Sequence, residues 1–309
     1  MPVMRSILLA ASQNAWLRER ASHYKFVRRS VARFMPGEEI DDAIIAAKQL
    51  EARRIEGVFT HLGENIRDAQ EADEVTQHYL IVLQKIRDAG LRTEISVKLT
   101  QLGLDQSVEL CSQNLRRILQ QESPEKTVWV DMEASSYVDA TLEVYRRALA
   151  QFPRTGVCLQ AYLLRTKKDL DDLLPLKPSV RLVKGAYKEP PEIAFPAKKD
   201  VDESYFSLGQ QMLRAAGGGS MCRAAFGTHD TVMIRRLAEF ASKEGMPKQS
   251  LEIQMLYGIQ RAEQERLAAE GYRSAVLVAY GQYWYPWFVR RLAERPANLW
   301  FLAKNVFAR

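Results

Sequence analysis

"TVWVDMEASSYVDATLEVYRRALAQFPRTGVCLQAYLLRTKKDLDDLLPLKPSVRLVKG", residues 127–185, switches its hydrophobic period four times. Three short runs rich in β-branched and aromatic residues, "TVWVDM" (127–132), "GVCLQAY" (156–162) and "VRLVKG" (180–185), alternate with helical patterns near 137–150 and 166–174. Strand, helix, strand, helix, strand at this spacing predicts parallel strands joined by crossover helices.

The same alternation extends in both directions. Upstream lie "GVFTHL" (57–62) and "TEISVKL" (93–99); downstream lie "CRAAFGT" (222–228), "LEIQMLY" (251–257) and "AVLVAY" (275–280). Helical patterns separate or follow them near 67–89, 107–120, 201–215, 230–243, 260–270 and 284–294. Eight such units in about 250 residues predict a (βα)8 barrel of the TIM type. An open doubly wound sheet would normally carry G-x-G-x-x-G at its first βα turn, and none is present; "GGGS" at 217–220 precedes a strand and reads as a loop. Ahead of the barrel, residues 12–34 read as a basic amphipathic helix stopped by Met35-Pro36-Gly37. Residues 38–54 read as a second helix with Ile40, Ile44, Ile45 and Leu50 on one face. The predicted division is an N-terminal helical arm, 1–54, and a barrel, 55–309.

Composition narrows the function. With 47% hydrophobic and 27% charged residues the chain is ordinary globular protein. Its net charge of +6 is scattered, with no basic run or aromatic-basic repeat suited to nucleic acid. Cys111, Cys158 and Cys222 are too few and too far apart for a disulfide framework and fit a reducing cytosol. No secretory signal and no 18-residue apolar run is read, so any membrane contact is expected to be peripheral.

In a βα barrel, chemistry collects at the C-terminal strand ends. Those ends carry Lys98, Asp131 with Glu133, Gln160, Arg181 with Lys184, Thr228-His229-Asp230, and Gln254. Each has a bland reading. Lys98 is also readable as a snorkelling lysine, and Asp131 as a helix cap, although Ser135 or Ser136 would cap better. Arg181 and Lys184 would pair with Asp131 or Glu133, and His229-Asp230 would merely start a helix. Together at one rim, they point to a ligand. No His, Cys and carboxylate set has metal spacing, and no nucleophile elbow occurs. Two amides, several cations and the small residues of "KGAYKEP" suit a planar, phosphate-bearing cofactor.

The motifs "SVKLTQLGLD", "VDMEAS", "LQAYL", "RLVKGAYKEP", "THD", "EIQMLYG" and "YWYPWFVRRLAERPAN" resemble those of the proline dehydrogenase family, FAD-dependent enzymes that begin proline catabolism, in the short monofunctional bacterial type. The resemblance implies a distorted (βα)8 barrel with the eighth helix over its mouth. It implies that Lys98, Arg290 and Arg291 bind the substrate carboxylate and that Trp287, Tyr187 and Leu256 surround the ring. It makes Asp131 and Arg181 a charged pair at the reacting centre. It gives Met132, Gln160, Val183, Lys184, Gly185, Ala186, Thr228, His229 and Gln254 to FAD, with Glu294 orienting Arg290 and meeting the cofactor. It also implies a quinone acceptor, and makes the basic arm a candidate contact with the inner face of the cell membrane.

One departure stands out. Where the family pattern on strand eight is Y-V-P-Y-G, this chain has "LVAYG", placing Leu277 and Ala279 on the expected ring-facing wall, and Trp287 stands where the lid helix usually has tyrosine. A repacked proline site and a site for a related cyclic imino acid, such as a hydroxyproline, are both open at this point; leucine offers an added hydroxyl no partner, which favours proline. Outside this family, a lysine-dependent lyase barrel would use Lys98 or Lys184 as a Schiff base. A catalytically idle barrel fits poorly with three cations gathered without counter-charges.

Overall fold

The computed structural model describes residues 31–63 and 66–294, with side chains through residue 289. The expected helix at 12–34 therefore lies outside the described residues except at its end, as do the side chains of Arg290, Arg291 and Glu294.

The described chain runs α1 (Ile40–Glu51), β1 (Glu56–His61), α2 (Ala69–Asp88), β2 (Glu94–Val97), α3 (Val108–Gln121), β3 (Val128–Val130), α4 (Val138–Leu149), β4 (Thr155–Gln160) and α5 (Thr166–Leu173). It continues through β5 (Ser179–Val183), α6 (Lys198–Gly217), β6 (Arg223–Gly227), α7 (Thr231–Lys243), β7 (Glu252–Leu256), α8 (Arg261–Ala269), β8 (Arg273–Tyr280) and α9 (Trp284–Glu294). The strands close into a parallel barrel in sequence order, β8 pairing with β1 in the register Val58 to Leu277.

Strand side chains alternate between two environments. Phe59, Ile95, Val97, Val128, Val130, Val276 and Val278 point outward and pack under the surrounding helices. Val157, Leu159, Val180, Leu182, Phe226 and Ile253 do the same on the other half. The alternate positions face inward, where Val58, Trp129, Ala225 and Ala275 fill the axis. Trp129 is wholly buried, and it fits because its neighbour on β4 is Gly156; a Cβ there would stand 2.5 Å from Trp129 Cε3.

Local signals start several helices. Asp68 accepts from the Glu71 amide, Ser107 from that of Leu110, and Asp230 from those of Val232 and Met233. Ser135 and Ser136 do not cap α4. A 3-10 turn over Ser135–Tyr137 intervenes, Tyr137 takes the cap position, and Ser135 instead donates through N and Oγ to Glu189.

α9 lies over the barrel mouth as expected, and α1 takes the flank that it leaves. α1 packs on β1 and β8, burying Ile40, Ala43, Ile44, Ala46, Ala47 and Leu50 in the outer core. Ile45, expected on that face, is 57% exposed, because it sits one residue and about 100° around the helix from Ile44. With the flank of β8 so covered, α9 crosses the barrel end: Trp284, Tyr285, Trp287 and Phe288 pack on Leu62, Ala279, Phe34 and Met35. No helix among the described residues is long and apolar enough to cross a membrane.

Gly156→Ala is expected to destabilise the fold by about 1–3 kcal/mol, since the added methyl overpacks against a wholly buried indole. A lowered denaturant midpoint with unchanged slope checks this.

Candidate active site

Strand parity assembles the floor. On β2, Glu94, Ser96 and the following Lys98 share the inward face; on β3 and β4, Trp129, Asp131, Cys158 and Gln160 do; β5 adds Arg181, and β7 adds Glu252, Gln254 and Leu256. At the centre lies the Arg181 guanidinium, 4% exposed. Its Nε donates to Cys158 Sγ at 2.9 Å, Nη1 to Gln254 Oε1 at 3.1 Å, and Nη2 to Ser96 Oγ at 2.7 Å and to Asp131 Oδ1. Ser96 Oγ donates in turn to Asp131 Oδ1 at 2.8 Å. Lys98 Nζ faces the second Asp131 oxygen at 3.8 Å. One carboxylate is thus set between two cations, and both of them line the cavity.

Burial raises the Glu133 carboxyl above its usual range, with Lys98 pulling the other way; its oxygens accept from the amide and hydroxyl of Thr100. Burial likewise pushes the Cys158 thiol up, so it serves Arg181 as a neutral acceptor.

The upper rim has a different character. Gln160, which lines the cavity, donates through Nε2 to the carbonyls of Met132 (3.1 Å) and Glu133 (2.7 Å); its buried amide oxygen has no hydrogen-bond partner among the described residues. Gly185 follows β5 with φ 115°, and a Cβ there would fall 2.3 Å from the Tyr162 ring, so only glycine brings the backbone this close. The Leu256 amide donates to His229 Nε2 at 2.9 Å, leaving the ring proton of a neutral imidazole on Nδ1.

Apart from Ala279, every expected site residue whose side chain is described lines a single cavity of about 660 Å³: Lys98, Asp131, Met132, Gln160, Arg181, Val183, Lys184, Gly185, Ala186, Tyr187, Thr228, His229, Gln254, Leu256, Leu277 and Trp287. Three readings need correction. Ala279 does not line it; the residue is fully buried beneath α9, two positions above Leu277 on the same strand face. Lys184 pairs with neither Asp131 nor Glu133 but lies between Asp202 (2.5 Å) and Asp230 (2.7 Å), because its side chain turns from the axis towards α6 and α7. Lys98 is not uncompensated, since Asp131 faces it. Sequence reasoning passed over Thr60, Ser96 and Cys158, which the period-two pattern places on the inward face beside the residues it did select. Among the described residues no three His, Cys, Asp or Glu side chains gather as metal ligands.

Comparison with known proteins places the chain in a family. The family model described as proline dehydrogenase matches residues 43–304. The chain belongs to the proline dehydrogenase family. It is 37% identical to proline dehydrogenase 1 of Bacillus subtilis strain 168 over 305 residues, covering 98% of this chain and 99% of that one. It is 38% identical to the proline dehydrogenase of Deinococcus radiodurans over 280 residues, 89% of each chain. The solved structure of proline utilization A from Bdellovibrio bacteriovorus superposes with a TM-score of 0.80 at 25% identity, over 87% of this chain and 33% of that much longer one. The family is flavin-dependent in general, and the planar, amide-reading rim suits that dependence.

Burial raises the Asp202 and Asp230 carboxyls, but Lys184 and Lys198 beside both, with the Met233 amide on Asp230, together outweigh it and hold both below the usual range. Folded values below unfolded ones mean that this contribution is complete above the ordinary aspartate range near pH 4 and is lost as pH falls beneath it. Lys184→Met is expected to flatten the acid limb of stability against pH between about pH 4 and 2; an unchanged limb in acid titration followed by circular dichroism contradicts the pairing.

Proposed function

We propose that this member of the family oxidises L-proline to Δ1-pyrroline-5-carboxylate with FAD, the first step of proline catabolism, in the cavity floored by Lys98, Asp131 and Arg181. The observation that carries the reading is the joining of that charged floor to the unpartnered Gln160 oxygen within one cavity. All relatives compared above carry a proline name, and none supports the ring-modified alternative.

The residues fit FAD. Gln160 Oε1 is a buried acceptor awaiting an N–H donor, as a flavin ring edge provides. Gly185 and Ala186 bring backbone to the rim, and Met132 and Val183 offer apolar contact. Lys184, already balanced by two aspartates, contributes as a fixed part of the rim more than as a free phosphate clamp. Bound FAD supplies the two-electron acceptor.

The chain's own groups do the positioning. Lys98 Nζ, held 3.8 Å from Asp131 and open to the cavity, meets the proline carboxylate, the group to which the family resemblance also gives Arg290 and Arg291. Leu256, Leu277 and Trp287 wall the ring, and the two leucines offer the added hydroxyl of a hydroxyproline no partner. Asp131 keeps Arg181 from being an isolated buried cation and fixes where that cation sits. The proline nitrogen enters unprotonated, since a protonated nitrogen has no lone pair to form the imine as the C5 hydride departs. Placing C5 in reach, by fixing the carboxylate and walling the ring, is the chain's main contribution to rate.

We assign the onward acceptor as a quinone and the place of action as the cytoplasmic side of the membrane. The family resemblance supports the quinone, and the basic stretch 12–34 within the arm at 1–54 supports a peripheral contact with the membrane's inner face.

L-Proline added anaerobically to the FAD-loaded protein is expected to bleach the flavin band. Lys98→Met is expected to raise the proline concentration for half-maximal bleaching at least tenfold, with FAD retained. No bleaching by proline would overturn the function, and an unchanged half-saturation would remove Lys98 from the carboxylate site.

A further inference from the structure

Below the cavity the barrel axis carries a second charged group that the reaction does not touch. Glu252 opens β7, is 2% exposed, and does not line the cavity. Its Oε2 accepts from Arg223 Nε at 2.7 Å, and its Oε1 accepts from Arg223 Nη2 at 2.7 Å and from Gln254 Nε2 at 2.7 Å. Arg223 is held from the other side by Glu94 at 2.5 Å, and its guanidinium lies 5.0 Å from the Trp129 ring centroid. Arg181 lies 5.2 Å from the same ring.

The direction of these bonds matters. A buried carboxylate only accepts, so the end of the Gln254 amide that faces Glu252 must be the NH2 group. The amide oxygen then faces Arg181, where Nη1 requires an acceptor. Were the amide reversed, its N–H groups would confront the guanidinium, donor against donor. Donation therefore runs from Arg181 through Gln254 to Glu252, where it meets the donation from Arg223, and the carboxylate at position 252 anchors the lower end of the Gln254 amide.

We propose that Glu252 is a positioning residue for the oxidation: by fixing the Gln254 amide, it holds the Arg181 guanidinium at the place and orientation the reaction uses. The inference rests on the proposed role of the Asp131–Arg181 pair at the cavity floor. Glu252→Gln keeps the volume and removes the constraint. A neutral amide cannot satisfy Arg223 at both oxygens and Gln254 at once without one donor meeting another. Combining it with Gln254→Glu returns a carboxylate to the column, now directly facing Arg181, and keeps net charge and size.

The test uses FAD-loaded protein with two readouts. In stopped-flow reduction by proline, Glu252→Gln is expected to lower the limiting rate at least tenfold while the apparent proline Kd stays within threefold. The Glu252→Gln/Gln254→Glu double variant is expected to recover most of that loss. In NMR, the Arg181 Nε–H signal, identified by its loss in Arg181→Lys, is expected to exchange with solvent at least tenfold faster in Glu252→Gln than in the parent. Parent-like rate and exchange in Glu252→Gln, or a double variant no better than the single, would overturn the proposal. Should Glu252→Gln fail to fold, Glu252→Asp, which keeps the charge but withdraws it from Gln254, is read by the same criteria. If proline fails to reduce the parent flavin, the functional reading falls, and the exchange of Arg181 Nε–H alone decides the positioning claim.

Discussion

A guanidinium buried at the axis of a barrel has to be surrounded before it can be useful. Taking Arg181 out of water costs several kcal/mol unless its donors find acceptors and its charge finds a partner. In this protein Cys158, Gln254, Ser96 and Asp131 supply the acceptors, one each from β4, β7 and β2 and one just beyond β3. Burial works against the charged form, but the hydrogen bond to the Cys158 thiol and the carboxylates of Asp131 and Glu94 favour it, so the cation is held more firmly than a free arginine. Those contacts demand a particular register of strands around the closed ring. The fold and the site are therefore one constraint: moving any of these strands by one residue turns its acceptor outward and strands the charge.

The barrel interior follows from the same demand. Where such barrels are usually filled by branched aliphatics, this axis holds Glu94, Arg223 and Glu252 around Trp129, with Gly156 making room for the indole. Burial pushes the Glu252 carboxyl up, and Arg223, with Arg273 at 3.3 Å and the Gln254 amide, more than reverses this, so its pKa lies below the usual range. A column of alternating charge and hydrogen bonds can transmit orientation as a greasy core cannot, since each donor has one acceptor that satisfies it. Above the column the cavity becomes neutral and apolar on the side of Leu277 and Trp287, which suits a small ring anchored by its acid group.

Much of this was legible in the sequence because its signals are local. The period-two runs and the helical patterns between them set all eight strands to within a few residues, and polar residues at otherwise apolar strand ends marked the rim. Partnerships were less legible. Lys184 was read beside Asp131 because both end strands, but side-chain length and direction take it to Asp202 and Asp230 on neighbouring helices. Ala279 was read as wall because it differs from the family pattern, whereas α9 covers it. Ile45 was read into the core face of α1, where a single residue of helical rotation exposes it. Ser96, Cys158 and Glu252 went unnoticed because serine, cysteine and glutamate are unremarkable one at a time. Their meaning lies in parity with Lys98, Gln160 and Gln254, two residues further on.

The central claim is that Asp131 and Arg181 act on proline as one unit. A double-mutant cycle tests it most directly: limiting rates of flavin reduction in Asp131→Asn, Arg181→Met and the double variant, all loaded with FAD. If the pair is a unit, the double variant is no slower than the slower single one, and the coupling is about 2 kcal/mol or more. Losses that simply multiply would show two independent groups and contradict the account.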